Sequence, residues 1–308
     1  MKIIGQSPNI QEVLRTADLV ANTDVPVLIT GEIGSGKQLF AQRIHQQSTR
    51  KQQAFIKVNC ASFDEASIEA CLFGSESIGN NPAIAGAIKK AHFGTLFLNE
   101  VSALSPSAQA KLRHFIDTCE VILGQNTLKK YDVRLIVSSK TNLYKHVEKG
   151  SFRDDLFYQL NVIPIELPAL KTREGDVPLL MDYFFRQLVH EQHQTPPNFT
   201  KAALKQITRY DWPGNVRELV NFCERMYVLF NGKTVEVTNL PQALRQYTQN
   251  KTSPFSLPAS GIQLEQLEVD FIQQALQVAG GNKSKAARLL GLTRDTFLYR
   301  IKKYSIKT

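Results

Sequence analysis

The 308-residue sequence has little that would suit a membrane protein, a disulfide-stapled scaffold or a metal centre. No apolar run approaches the roughly 20 residues that span a bilayer. The start, Met1-Lys2-Ile3-Ile4-Gly5-Gln6, lacks the charged and apolar regions of an export signal. Only four cysteines occur, Cys60, Cys71, Cys119 and Cys223, and they are scattered without metal-ligand spacing. Reduced thiols in a cytoplasmic protein are therefore expected, with no membrane partner. Internal repeats and long low-complexity tracts are also absent. Apolar residues at 43% and charged ones at 21% suit a globular chain long enough for more than one domain.

The formal charge of +9 is unevenly placed. From Gly281 onward stand Lys283, Lys285, Arg288, Arg294, Arg300, Lys302, Lys303 and Lys307, opposed only by Asp295. Such a basic tail on an otherwise near-neutral chain suggests a nucleic-acid partner, and the helix pattern of the same segment narrows this to double-stranded DNA. From charge alone, a solvated basic helix is an equal reading.

The start of the chain carries a phosphate-binding pattern. Val27-Leu28-Ile29-Thr30 reads as a buried strand, and Gly31-Glu32-Ile33-Gly34-Ser35-Gly36-Lys37 follows it directly. Leu39, Phe40 and Ile44 then mark an amphipathic helix. Backbone N–H groups of such a loop cradle phosphates, and Lys37 reaches the outer ones. Gln38, however, offers no hydroxyl to a metal ion. The other half of such a site, Gly94-Thr95-Leu96-Phe97-Leu98-Asn99-Glu100, ends in Asn-Glu where Asp-Glu is expected. ATP or ADP is the expected cofactor, with Mg²⁺ only weakly supported and no metal-ligand set assigned.

Apolar runs at Val27–Thr30, Ala54–Asn59, Thr95–Leu98, Val133–Ser138 and Val162–Glu166 alternate with helical patterns, as in an α/β parallel sheet. Residues 1–168 are expected to form that nucleotide-binding subdomain and residues 169–246 a helical lid. Trp212-Pro213-Gly214-Asn215 should start a lid helix at Val216. Residues 247–261, rich in Thr, Ser, Asn and Pro, read as a linker to an all-α domain at 262–308.

In that last domain Leu264, Leu267, Phe271, Ile272 and Leu276 form a stripe at helical spacing. Asn282 should cap a short helix from Lys283, Gly291 should turn the chain, and Thr293 should cap a second helix from Arg294. Phe297 and Ile301 then face inward, leaving Arg294, Thr296 and Arg300 outward, with Lys302 and Lys303 near the end. Lys285-Ala-Ala-Arg-Leu-Leu-Gly-Leu-Thr-Arg-Asp-Thr-Phe-Leu-Tyr-Arg-Ile-Lys-Lys-Tyr304 resembles the Fis-type helix-turn-helix. The resemblance implies a second helix in the major groove, a two-fold DNA site and dimerisation through Leu264–Leu276. The stripe could instead pack within one subunit.

Upstream landmarks extend the resemblance over most of the chain. They are Ile4-Gly5-Gln6-Ser7, Val58-Asn59-Cys60, Leu72-Phe73-Gly74, Gly94–Glu100, Phe152-Arg153-Asp154-Asp155-Leu156, Leu160-Asn161-Val162 and Trp212-Pro-Gly-Asn-Val-Arg-Glu-Leu219. Together they resemble the AAA+ domain of sigma-54-dependent transcription activators, the bacterial enhancer-binding proteins. The resemblance implies that Lys37 contacts terminal phosphates, Glu100 polarises the attacking water and Asn59 restrains Glu100. It also implies that Arg153 enters a neighbouring subunit's site, Arg217 senses nucleotide from the lid, and the chain forms a homo-oligomer, a dimer or a ring. RNA polymerase is the further partner implied. A regulatory domain ahead of Gly5 is not expected.

The departures from the family pattern gather at the phosphates. Asn99 stands at the aspartate position, Gln38 is neutral, Ser139-Lys140 replaces Thr-Asn, and Gln159 replaces a second arginine. Where activators carry Gly-Ala-Phe-Thr-Gly-Ala, this chain has Ser77-Ile-Gly-Asn-Asn-Pro-Ala-Ile-Ala85. A sequence-specific transcription regulator with a degenerate ATP-binding domain is the leading expectation, unable to remodel sigma-54 polymerase. A working ATPase that activates sigma-54 polymerase, and a partner subunit tempering a competent activator in a mixed ring, are the alternatives.

Overall fold

Burial on both faces explains why the central strands read as unbroken apolar runs. In the computed structural model, which describes residues 3–75, 84–123, 127–246, 261, 263–304 and 306, β1 (Val27–Thr30), β3 (Thr95–Asn99) and β6 (Arg134–Ser139) are the inner strands. Strands β2 (Phe55–Asn59) and β7 (Ile163–Glu166) flank them as less buried edges. The order is β2-β3-β6-β1-β7 and every pairing is parallel. Between β3 and β6 the chain adds a hairpin that the sequence reading did not foresee, β4 (Glu120–Leu123) against β5 (Thr127–Lys130).

Alternate residues along the strands serve two cores. Val27, Ile29, Phe97, Ile136 and Ile165 meet Ile10, Phe40 and Ile44 from α1 (Pro8–Ala21) and α2 (Lys37–Gln46). Leu28, Leu96, Leu98, Leu135 and Val137 face the opposite layer. That layer holds α3 (Glu65–Phe73), α4 (Ala87–Lys90), α5 (Pro106–Thr118), α6 (Tyr144–Glu148) and α7 (Asp154–Leu160). Local chemistry sets several helix starts: Pro8 and Pro106 sit at first positions, and the Asp64 and Ser105 side chains accept backbone N–H groups.

The lid comprises α8 (Asp176–Gln192), α9 (Lys201–Arg209), α10 (Asn215–Leu229) and α11 (Gln242–Arg245), with β8 (Asn198–Phe199) parallel to β9 (Thr234–Val235). Trp212, Phe184, Phe222, Met226 and Tyr227 fill its core.

The chain divides into two compact units, residues 1–247 and 248–308. In the second, α12 (Leu264–Val278), α13 (Lys283–Leu289) and α14 (Arg294–Lys303) pack around Ile272, Ala286, Ala287 and Phe297. Residues 77–83 of the altered loop and 247–260 of the expected linker lie outside the described residues. Among the described residues no helix is long and apolar enough to cross a membrane.

Candidate nucleotide site and nucleic-acid face

Parallel strands bring their carboxyl ends to one sheet edge, and here that edge carries the chemistry. Gly31 to Lys37 leave β1, Asn99 and Glu100 leave β3, and Lys140 follows β6. With the lid they enclose a cleft of about 610 Å³. One wall is apolar, made of Ile3, Ile4, Leu180, Tyr183, Phe184, Val216 and Val220. The other presents Lys37, Lys140 and Arg217. An apolar slot ending in cations suits a base joined to phosphates.

The glycine loop is wound for anions. Gly34 (φ 77°) and Gly36 (φ 103°) adopt left-handed backbone. At Gly34 a Cβ would lie 2.1 Å from the Gly214 carbonyl oxygen, so only glycine allows the lid this close. Ser35 is buried, and its hydroxyl has no hydrogen-bond partner among the described residues. Lys37 Nζ donates to the Gly31 carbonyl at 2.8 Å and stands 3.4 Å from Glu100 Oε1. Burial does most to lower the Lys37 pKa; Glu100 opposes that, while Arg217 and Lys140 lower it further. Crowded cations, an orphaned hydroxyl and an open curl of glycines fit a bound phosphate.

The same residues do not fit Mg²⁺. That ion takes oxygen ligands in octahedral array, usually with one or two carboxylates. Asn99 Oδ1 accepts from Ser138 Oγ at 2.8 Å, and its Nδ2 donates to Asn59 Oδ1 at 3.3 Å. The position that needs a free carboxylate thus holds a neutral amide already engaged at both ends. Glu100 Oε2 accepts the Lys140 backbone N–H at 3.0 Å, while Oε1 faces Lys37. Gln38 brings no charge, and no cluster of three His, Cys, Asp or Glu side chains suited to a metal occurs among the described residues.

The expected restraint of Glu100 by Asn59 needs correction. Asn59 Nδ2 donates to Ser62 Oγ at 2.6 Å and its oxygen receives Asn99, so Glu100 is held instead by Lys140 and Lys37. The bond from position 99 to the Asn59 oxygen depends on the amide, because an ionised aspartate could not donate it. Arg153 is exposed and makes a two-pronged bond to Asp155, at 3.0 and 2.8 Å. Chiefly that hydrogen bonding holds the Asp155 pKa at about 2. Gln159 Nε2 donates to Asp117 and does not line the cleft.

Two features were not foreseen. Asp176, fully buried, accepts the N–H groups of Gln6 (2.6 Å) and Ser7 (3.0 Å), the Ser7 hydroxyl and Arg173 Nε. Arg173 also donates to the Ile4 carbonyl. This knot ties the amino-terminal segment to α8 and so places Ile3 and Ile4 on the apolar wall; Gly5-Gln6-Ser7 was its sequence signal. The second is Asn215, whose Nδ2 donates to Glu32 Oε2 and the Ile33 carbonyl, both at 3.0 Å. Its Oδ1 accepts the Leu170 N–H at 2.7 Å. Val216 N–H adds a bond to the Gly34 carbonyl. The Trp-Pro-Gly-Asn turn is therefore the clamp between lid and phosphate loop.

In the second unit Asn282 Oδ1 accepts from Ser284 and Lys285, and Thr293 Oγ1 from Thr296, as the capping pattern predicts. Thr293, Arg294, Thr296, Lys302 and Lys303 are exposed, and Lys283 is half-buried. Arg300 is pulled back to Glu268 of α12, and Lys303 lies 3.6 Å from Glu265. Arg300 is thus partly spent on holding α12 to α14 and departs from the freely outward-facing position expected. Of the apolar stripe, Ile272 and Leu276 are buried within this unit, whereas Leu264 is 76% exposed.

Comparison with known proteins assigns all three parts. Residues 3–166 match the sigma-54 interaction domain, 171–256 the AAA+ ATPase lid domain, and 263–304 the Fis family of bacterial regulatory proteins. The chain belongs to the sigma-54-interacting family of bacterial transcription regulators. It is 39% identical over 305 residues to the transcriptional regulatory protein ZraR of Salmonella typhimurium, covering 97% of this chain and 68% of that protein. It is likewise 39% identical over 313 residues to the nitrogen fixation protein AnfA of Azotobacter vinelandii, covering 99% of this chain and 57% of that one. Among solved structures, NtrX from Brucella abortus in complex with ATP superposes with a TM-score of 0.74 at 30% identity. That match covers 99% of this chain and 70% of the NtrX chain. The ADP complex gives 0.75.

Proposed function

We propose that this chain is a cytoplasmic, sequence-specific DNA-binding regulator of transcription that holds ATP or ADP between phosphate loop and lid, yet turns it over very slowly. The observation that carries the reading is the state of Asn99. A working site needs a carboxylate there to organise metal and water, whereas this amide is bonded to Ser138 and Asn59. Lys140 and Gln159 remove two further groups that position water or offset charge. Transition-state arginines alone are worth about 10³–10⁵ in rate. Nucleotide then sets assembly state, with Arg153 reaching a neighbouring copy, and does not drive remodelling of sigma-54 polymerase.

The exposed residues of α14 support the DNA part. Arg294 lies in its first turn, where a guanidinium meets guanine O6 and N7, and Lys302 and Lys303 lie nearer the phosphates. The exposed Leu264 end of α12 supports pairing of two copies, which a two-fold DNA site requires.

Steady-state ATPase measurement with Mg²⁺ tests the reading. Turnover should stay near background for the natural chain and for Asn99→Asp, since Lys140 and Gln159 persist in that variant. Brisk turnover by the unmodified chain refutes it.

A further inference from the structure

The phosphate end of the cleft has more positive charge than a metal–nucleotide complex needs. Lys37, Lys140 and Arg217 line it, and Glu100 is the carboxylate that faces them. Arg173 also reaches the lining, but the buried Asp176 neutralises it. A divalent cation placed here would add two charges beside three and would compete with the Ser138 hydroxyl, the Lys140 N–H and the Lys37 ammonium for the Asn99 and Glu100 oxygens. An anion that keeps its full charge suits the same space.

We infer that nucleotide phosphates are held in this cleft by side-chain cations without a divalent metal, Lys140 standing where charge from Mg²⁺ would otherwise be supplied. The inference rests on the nucleotide reading above and deepens it. Geometry carries it. Lys140 directly follows β6, the central strand of the five, and its backbone N–H is anchored 3.0 Å from Glu100 Oε2. Its side chain is exposed into the cleft rim, and no ion pair claims it among the described residues. A compact ammonium on a flexible stem serves phosphate as a point charge. Arg217 approaches from α10 and Lys37 from the loop, so phosphates would be met from three sides. The Lys37 pKa is lowered chiefly by burial and further by Arg217 and Lys140, and an entering anion would offset that repulsion.

The test is calorimetric titration of the full chain with ATP and with ADP, in excess Mg²⁺ and in EDTA at matched ionic strength. The natural chain should bind ATP with Kd values within about threefold of each other in the two buffers. Lys140→Met, which keeps the stem and drops the charge, should weaken ATP binding in EDTA by about tenfold or more, and Lys140→Arg should restore most of it. Circular dichroism and melting should not move, since the side chain is exposed. A larger loss for the natural chain in EDTA, or Lys140→Met binding like the natural chain, overturns the inference while leaving nucleotide binding intact. Failure to bind in either buffer overturns the nucleotide reading, and this inference with it.

Discussion

Replacing Asn215 by alanine cuts the clamp between lid and phosphate loop, and the structure sets the size of the effect. The buried Leu170 N–H loses its acceptor and gains none, which costs about 2 kcal/mol. The two bonds from Nδ2, to Glu32 and to the Ile33 carbonyl, contribute about 1 kcal/mol each. Asn215 also holds a left-handed backbone at φ 52°, which asparagine tolerates and alanine resists by about 1 kcal/mol. Simple addition gives about 5 kcal/mol, and water reaching the exposed Glu32 side should reduce the loss to about 3–4 kcal/mol. Against a typical total of about 5–15 kcal/mol, that removes a large share of stability. Trp212 makes the measurement direct: it is the chain's one tryptophan, is buried in the lid core and sits three residues from the substitution. Urea unfolding followed by its emission should show an early lid transition, and nucleotide should raise its midpoint less than in the natural chain. A loss below about 1 kcal/mol would mean that the lid and loop are held by apolar contacts instead.

Acid stability should depend on Asp176. Burial would raise its pKa, but bonds from Gln6, Arg173 and Ser7 overcome this and leave it lowered. A folded-state pKa below the unfolded one means that stability is present at neutral pH and is lost as pH falls below about 4. Asp176→Asn should be less stable at pH 7 and lose less on acidification, as chemical denaturation across pH would show. On DNA, Arg294→Ala should cost about 1–3 kcal/mol and relax preference at one base position per half-site, whereas Lys302→Ala should weaken all sequences alike and flatten the salt dependence. Competition binding at several salt concentrations separates the two. Arg300→Ala should instead lower the melting temperature of the DNA-reading unit, because Arg300 pairs with Glu268 across the half-exposed seam of α12 and α14. An unchanged melt with a flattened salt slope would instead make Arg300 a phosphate contact.

What could be read in the chain was what neighbours in sequence determine. The inner sheet strands were legible because a strand buried on both faces is largely apolar, as in the Leu135-Ile136-Val137 run of β6. Even there Arg134 is a surprise: it is buried and donates to the Val20 and Ala21 carbonyls at the end of α1, more than a hundred residues away. The caps at Asn282 and Thr293 were legible for the same local reason, since each acts on N–H groups two or three residues ahead. The hairpin β4–β5 was missed because Thr127–Lys130 has neither a continuous apolar run nor a clear alternation. Partners chosen by the fold were not legible at all. Asn99 was legible as a lost charge, but its bonds to Ser138 and Asn59 follow from β2, β3 and β6 lying side by side. That adjacency changes the meaning of the substitution. An isolated asparagine at a metal site can turn its oxygen toward a hydrated ion; one held between a hydroxyl donor and an amide acceptor can turn only at the cost of those bonds. That adjacency supports the proposal that Lys37, Lys140 and Arg217, which line the cleft, balance the phosphate charge in place of a metal.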